Sequence, residues 1–586
     1  MSRVTRLWSE LRRDPIRTAF GVVMLAIAVP RLMLSLYVRD FGADGGYYSN
    51  IARNVRDGNG LSTDLSIFHQ GFPHFPYPTP VYPVWPFVYG MVAKVAPLEV
   101  VGVWLPTVAW VAIVAFAWVL GRRLAPRISL APLPIPQTLH GGHVFALVTA
   151  LTSELAKATS APYTEGMAFI LLFGCMLRGP ALWRRLGLVA GLEFGAWLIL
   201  LLLVRSQFIV VGIAAAMCVP FAAGRRPRAA VAFALGAGLV AFGTWHAYEA
   251  WVGTFLPSPT LQTYIRFDLA RAPSALSEVP VMAPDEGLIG RLTAIASGFQ
   301  GAFWIFDNSA SYYHLHGAFI HAVVLALPLL ALRARQWRLL LRFLRSPAGP
   351  GAAFITASAI GLMLSLHTVH KVYGASWVFG SRHGIPSLFI VATCMLLLLR
   401  SRGAWRWLGV ALLLLGTYTG WRQLVLLAND RMVDSWKAPS LLGYRSEIRG
   451  FMLGELERRG KLTMGVERPE AQRLAWRTPG VGFHWLTETT TVDDATVLVH
   501  DLGADYIVDF DEIHYLKLAA DPEFALRFTE YTSFTEGGAG DGDDASTATV
   551  GKARVTHVYA PRCEYFPLSP TCIRGAPMPE ASPTPP

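Results

Sequence analysis

From about residue 18 to about residue 430 the chain alternates long apolar runs with short polar connections. Every second connection is rich in arginine: "GRRLAPR" from Gly121, "RGPALWRR" from Arg178, "GRRPR" from Gly224, "RARQWRLLLRFLR" from Arg333 and "RSRGAWR" from Arg400. Positive charge marks the cytoplasmic ends of membrane helices, so reading these connections as cytoplasmic orients the whole series. The predicted spans are Thr18–Val38, Val101–Leu120, Val144–Ser160, Tyr163–Leu177, Leu186–Val204, Phe208–Ala223, Ala229–Tyr248, His316–Leu332, Ala352–His370, Gly384–Leu399 and Trp407–Leu427, about eleven in all. The segment "YPTPVYPVWPFVYGMVAKVAP" is short and rich in proline. It reads as a helix lying in the membrane interface, since counting it as a span would turn the later arginines outward.

After the last span the pattern changes. "LTMGV", "DYIVDF" and "ARVTHVYA" carry strand patterns, and "DDATVLVHDLGA" reads as a helix capped by aspartate and closed by Gly503. "EGGAGDGDDAS" reads as a flexible loop and the terminal "GAPMPEASPTPP" as disordered. The expected fold is therefore a mainly α polytopic membrane protein with a C-terminal extracytoplasmic α/β domain. Residues 1–431 form the membrane domain, with external loops at 39–100 and 249–312; residues 432–574 form the outer domain and 575–586 a disordered tail. The basic N-terminus with its long apolar run reads as a retained signal anchor whose start is cytoplasmic.

Composition supports this class: of 586 residues, 53% are hydrophobic and only 16% charged, with a mean hydropathy of +0.39. The net charge of +11 follows from the arginine clusters between apolar runs. It reads as topology with a secondary attraction for anionic membrane lipid, and nucleic acid is not an expected partner. Cys563 and Cys572 lie close together in the polar tail and could pair only if that tail faces an oxidising compartment; spacing alone leaves this open.

On this topology the polar residues of interest gather on the outer face. In "GADGGYYSNIARNVRDGNG", Tyr47, Ile51 and Val55 recur every four residues, which predicts a short helix ended near Gly58, with Asp44 before it as a helix cap or as a functional carboxylate. Glu165 stands at the mouth of the fourth span, where a carboxylate favours either a helix N-terminus or a wet cavity. Arg205 lies at an outer span end. The connection "HKVYGASWVFGSRHGIP" holds Lys371, Arg382 and His383 beside glycines, a composition able to bring cations against a phosphate or simply to snorkel at the interface. Glu154 and Lys157 are spaced for an ion pair within a helix. "HLHGAFIH" lacks the clustered carboxylates or cysteines of a metal site, "DEGLIGR" could start a loop helix, and no nucleotide-binding loop, nucleophile elbow or CxxC pair is present.

Together, "GADGGYYSNIARNVRDGNGL", "PTPVYPVWPF", "APYTEG", "GSRHGIPSL" and the outer-domain "LGADYIVDF" resemble the membrane glycosyltransferases of superfamily C, especially the bacterial aminoarabinose transferases and protein O-mannosyltransferase-like enzymes. The resemblance covers nearly the whole chain through short motifs. It implies a fold of the glycosyltransferase C type, an inverting reaction and a sugar donor carried on polyprenyl phosphate. It implies that Asp44 is the catalytic carboxylate and that Arg382 contacts the donor phosphate. Where many members carry a second acid, this chain has Gly45, so that role is lost or passes to Asp40 or Glu165.

The expected activity is transfer of a sugar from a polyprenyl-phosphate donor to a lipid, glycan or protein acceptor at the outer face of a bacterial inner membrane. Asp44 is expected to act as base and Arg382 as phosphate contact. Lys371, His383 and Arg205 assist, Glu165 positions sugar or acceptor, Tyr47 and Tyr48 contact substrate, and the second external loop serves as a lid. No cofactor is expected, and metal dependence is left open. The alternatives are a transporter or flippase of lipid-linked or small solutes, and a non-catalytic scaffold or receptor.

Overall fold

The computed structural model describes residues 14–66, 75–78, 83–130, 139–205, 208–223, 226–253, 334–344, 349–373, 385–437, 445–486, 491–510, 521–536 and 554–573. Its apolar runs are helical, since within a bilayer each backbone amide and carbonyl must find its partner inside the segment. The helices, in chain order, are α1 (Pro15–Leu36), α2 (Gly42–Arg56), α3 (Val84–Val92), α4 (Leu98–Leu124), α5 (Gly141–Ala150), α6 (Ser153–Ala158), α7 (Glu165–Arg185) and α8 (Leu188–Val204). They continue with α9 (Ile209–Ala223), α10 (Pro227–Gly253), α11 (Ala334–Leu344), α12 (Gly349–Tyr373), α13 (Ser387–Arg400) and α14 (Ala404–Lys437). Among the described residues, five helices are long and apolar enough to cross a membrane, namely α1, α4, α7, α10 and α14, where the sequence predicts about eleven spans. Shorter apolar helices lie at α5, α8, α9, α12 and α13. The predicted span His316–Leu332, the histidine-rich "HLHGAFIH", "DEGLIGR" and the proposed lid fall outside the described residues. Along α1, Val22, Leu25 and Val29 face outward while Ile27 and Leu34 are buried, the division a helix adopts with lipid on one side and neighbours on the other.

The predicted span Val144–Ser160 is interrupted. Leu151 and Thr152 separate α5 from the six-residue α6, and the chain then turns through Thr159–Thr164 into α7. Polar groups explain the break. Arg31 of α1 is buried and donates to the Thr159 carbonyl (2.6 Å), to the Thr159 hydroxyl (3.1 Å) and to Ser35 Oγ (2.7 Å), with its guanidinium 5.4 Å from the Trp110 ring centroid. Arg431 of α14 reaches Ser160 Oγ at 2.6 Å. A straight helix would have used the Thr159 carbonyl internally; the corner presents it to Arg31 and the Ser160 hydroxyl to Arg431 instead. The short α3 agrees with the expectation of a non-spanning helix in the first loop, and Glu154 pairs with Lys157 at 3.1 Å.

The C-terminal region folds as helices α15 (Ser446–Arg459), α16 (Arg468–Ala475) and α17 (Val492–His500) around a sheet. Its strands are β4 (Leu462–Glu467), β5 (Val481–Leu486), β6 (Tyr506–Phe510), β7 (Phe528–Glu536) and β8 (Arg554–Pro561). The segment between α2 and α3 contributes β1 (Ser62–Thr63), β2 (Leu65–Ser66) and β3 (Tyr77–Pro78), of which β1 and β3 pair antiparallel. The large sheet has the order β2-β5-β4-β6-β8-β7, so the loop supplies its edge strand. Strands β2, β5, β4 and β6 run parallel, with Leu65 opposite Phe483 and Met464 opposite Tyr506, whereas β8 and β7 are antiparallel. Helix α17 is capped by Thr491, whose hydroxyl accepts the Asp494 amide at 3.2 Å while Asp494 accepts back, so the expected aspartate cap is instead the return half of a capping box. Cys563 and Cys572 are joined, with Cα atoms 5.5 Å apart.

One cap yields a pH prediction. His140 precedes α5, and its Nδ1 accepts the Gly142 amide at 3.1 Å, which requires that nitrogen to be unprotonated. Burial first, then the neighbouring His143 and Arg122, lower the His140 pKa to about 4. Because this lies below the unfolded value of about 6.5, the cap contributes fully above that pH and is lost as pH falls through about 4. In detergent, the melting temperature should therefore decline with acidification less steeply in His140→Asn, whose side chain keeps a cap acceptor without titrating. Equal slopes for the two proteins would remove the histidine from the account.

Candidate functional site

The chain enters α2 through Asp40 and Gly42. Asp40 Oδ2 accepts the Gly42 amide at 3.0 Å, and Gly42 has φ +68°; a Cβ there would lie 2.6 Å from the Tyr163 hydroxyl, so only glycine fits. The residue before the helix, Phe41, makes no side-chain cap. Asp44 is thus not the helix cap: Asp40 takes that work, and Asp44 sits inside the first turn, half-buried, where the helix dipole favours a negative charge. The acid expected to compensate for Gly45 is likewise engaged, since Asp40 also meets Arg473 Nε at 3.1 Å and Arg477 at 3.3 Å on the outer domain.

The rest of α2 is held from beneath. The Asp64 carboxylate accepts from Arg53, from Asn50 Nδ2 at 2.8 Å and from Asn54 Nδ2 at 3.3 Å, and all four side chains are buried. Burial raises the Asp64 carboxyl, against the pull of Arg53 and the two amides. Arg53 also donates to the Ala475 carbonyl at 2.7 Å, and the Asp64 carbonyl accepts the Phe483 amide at 2.8 Å. Gly46 lies against α16 so closely that a Cβ would stand 2.3 Å from the Gln472 carbonyl.

Across from the start of α2 runs the corner before α7. The Trp85 indole donates to the Pro162 carbonyl at 2.8 Å; a Cβ at Gly45 would lie 3.5 Å from the Pro162 ring, and one at Gly42 would crowd the Tyr163 hydroxyl. Glu165 then begins α7 and is ion-paired with Arg205 at the end of α8. The structure therefore gathers Asp44, Tyr163, Glu165 and Arg205 at one end of the bundle, beside the outer domain. It couples Glu165 to Arg205, where the sequence assigns them to separate partners. Tyr47 and Tyr48 are 4% and 6% exposed and pack with Ile51, Leu65, Trp85 and the sheet. Lys371 lies in the last turn of α12, and Arg382 and His383 fall outside the described residues. No group of three or more metal-ligating side chains occurs among the described residues.

No protein-family model and no curated protein matches the chain. Solved structures do. An archaeal oligosaccharyltransferase, AglB from Archaeoglobus fulgidus in complex with an inhibitory peptide and a dolichol-phosphate, is similar over 94% of this chain and 77% of its own, with 11% identity and a TM-score of 0.47. ArnT from Cupriavidus metallidurans bound to undecaprenyl phosphate is similar over 92% of this chain and 98% of its own, with 14% identity and a TM-score of 0.40. Both are superfamily C glycosyltransferases. At these identities no residue role passes from them to this chain.

Several residues of the site escape a reading of the sequence. Arg31 sits inside the first apolar run, Asn50, Arg53 and Asn54 lie on the predicted short helix without an evident partner, and Asp64 belongs to an ordinary-looking polar loop. The spacing of Asn50, Arg53 and Asn54 by three and four residues is the one local signal, because it puts three donors on one helix face.

Two substitutions test this frame. Removing the carboxylate in Asp64→Ala leaves the Arg53 guanidinium buried without its counter-charge and should cost about 3–5 kcal/mol, read as a lowered unfolding midpoint. Gly46→Ala should cost about 1–3 kcal/mol by pushing α2 off α16, and should make the connection to the outer domain more susceptible to limited proteolysis. A wild-type melting curve for either would refute the packing described.

Proposed function

We propose that the protein is a membrane glycosyltransferase that moves a sugar, with inversion, from a polyprenyl-phosphate donor to an acceptor hydroxyl at the non-cytoplasmic face. The observation that carries the reading is the position of Asp44. Its carboxylate stands in the first turn of a helix packed on the C-terminal domain, beside Gly42 and Gly45, which face Tyr163 and Pro162 at the entry to α7. The motifs quoted above support the same assignment. The Cys563–Cys572 bond suits an outer domain in an oxidising compartment.

In the proposed reaction the acceptor oxygen attacks the anomeric carbon as the carbon–oxygen bond to phosphate breaks. The hydroxyl proton passes to Asp44, and the bonding pair leaves with the phosphate as free polyprenyl phosphate. A positioned base of this kind contributes about 10²- to 10⁴-fold. Arg382 takes the developing phosphate charge, with Lys371 and His383 beside it. Glu165 and Arg205, held to each other, form the polar wall against which sugar or acceptor is oriented, a role that replaces separate duties for the two.

Purified protein incubated with radiolabelled polyprenyl-phosphate sugars and membrane extract as acceptor should release free carrier. Asp44→Asn should lower that rate by about 10²-fold or more while the melting temperature stays near that of the wild type. Undiminished release by the folded variant would exclude Asp44 as base. Carrier release absent for every donor, with solute movement down an imposed gradient instead, would favour a transporter.

A further inference from the structure

At the end of the bundle away from Asp44, a cleft of about 810 Å³ opens between α4, α7, α12 and α13. Helix α7 starts at Glu165, and its residues that line the cleft, from Met176 to Arg184, lie about 17–29 Å along the helix from that end, most of a bilayer thickness away. Its walls are apolar, formed by Leu120, Leu124, Met176, Leu177, Pro180 and Ala181, and four arginines ring it: Arg123, Arg178, Arg184 and Arg400. Arg178 is paired with Glu193 at 2.6 Å. The other three make no carboxylate contact among the described residues. Arg123 donates to the Leu177 carbonyl at 3.0 Å, Arg184 to the Pro180 carbonyl at 3.3 Å, and Arg400 lies 5.5 Å from the Phe343 ring centroid.

Arginines at helix C-termini answer the helix dipole by themselves, but a dipole needs no cleft. An apolar slot between spans is a poor place for water and a good one for an acyl chain, and its volume lies within the range of about 300–1,000 Å³ usual for small-molecule sites. Three exposed guanidiniums at its mouth supply what a phosphodiester requires: fixed positive charge and several donors. We propose that this cleft binds an anionic glycerophospholipid from the leaflet on the arginine-rich side. The acyl chain lies along the apolar walls and the phosphate lies among Arg123, Arg184 and Arg400. Such a lipid bridges α4, α7, α12 and α13 at the end opposite the chemistry, a duty distinct from that of the sugar carrier.

The test is titration of the purified full-length protein in detergent, with binding followed by native mass spectrometry and by thermal unfolding. Phosphatidylglycerol should bind and raise the melting temperature, whereas phosphatidylcholine and inorganic phosphate at equal concentration should not. Gln in place of Arg123, Arg184 or Arg400 should weaken phosphatidylglycerol binding roughly fivefold each and roughly hundredfold together. Arg127→Gln, an exposed arginine on the same surface but outside the cleft, should bind as the wild type does. Equal binding of the two phospholipids, or a folded single variant of each arginine that keeps full affinity, overturns the site. Stabilisation by inorganic phosphate alone reassigns it to a soluble anion and overturns the lipid.

Discussion

A buried carboxylate between α2 and α3 joins two parts of the chain about four hundred residues apart. Asp64 holds Arg53, Asn50 and Asn54 with its side chain, and with its carbonyl it meets the Phe483 amide, one residue before β2 enters the outer sheet. A carboxylate removed from water is stable only when its lone pairs are satisfied and its charge balanced, so this arrangement tolerates little displacement. It sets the rotation of α2, and with it the direction in which Asp44 leaves the first turn. The outer domain is thus a structural wall of the candidate site, and the loop's edge strand is as much a part of the sheet as its C-terminal strands.

The opposite wall of the site depends on cations. Arg31 and Arg431 draw the chain at Thr159 and Ser160 out of helical continuity, and the resulting corner carries Pro162, Tyr163 and Glu165 toward α2. Backbone carbonyls released from a helix inside a bundle must be bonded elsewhere, and arginine with its five donors does this in little space. The Glu165–Arg205 pair follows the same rule: each charge is admitted to the interior because the other is there. The close glycine contacts, at Gly42 with Tyr163 and at Gly46 with Gln472, allow the two walls to approach. Positive charge at the far end of the bundle is arranged differently, around an apolar cleft and exposed to solvent.

Local sequence signals were legible where a single element answers to a single pattern. The four-residue recurrence of Tyr47, Ile51 and Val55 gives α2, the Pro-rich segment gives a short helix, and "DYIVDF" gives a strand. The same signals left the partners of individual side chains open. Asp44 could be read as a cap or as a functional carboxylate, and Asp40, two positions before the first helical residue, takes the amide. Tyr47 and Tyr48, expected to contact substrate, pack in a buried cluster with Ile51, Leu65 and Trp85. Glu165 and Arg205 could not be matched from their order in the chain, since forty residues separate them.

What the sequence determined by itself was the solvent of each segment. Hydropathy and arginine placement act over one helix length at a time, so the division into apolar bundle and polar outer domain, and the collection of acids and aromatics near one set of helix ends, follow from local composition. What only the tertiary structure decided was partnership: the loop strand in the outer sheet, the Asp64 cluster, the Arg31 corner and the pairing of Glu165 with Arg205. Each depends on groups brought together by packing across long stretches of chain, and a buried charge chooses its counterpart by distance in space, which linear order does not record.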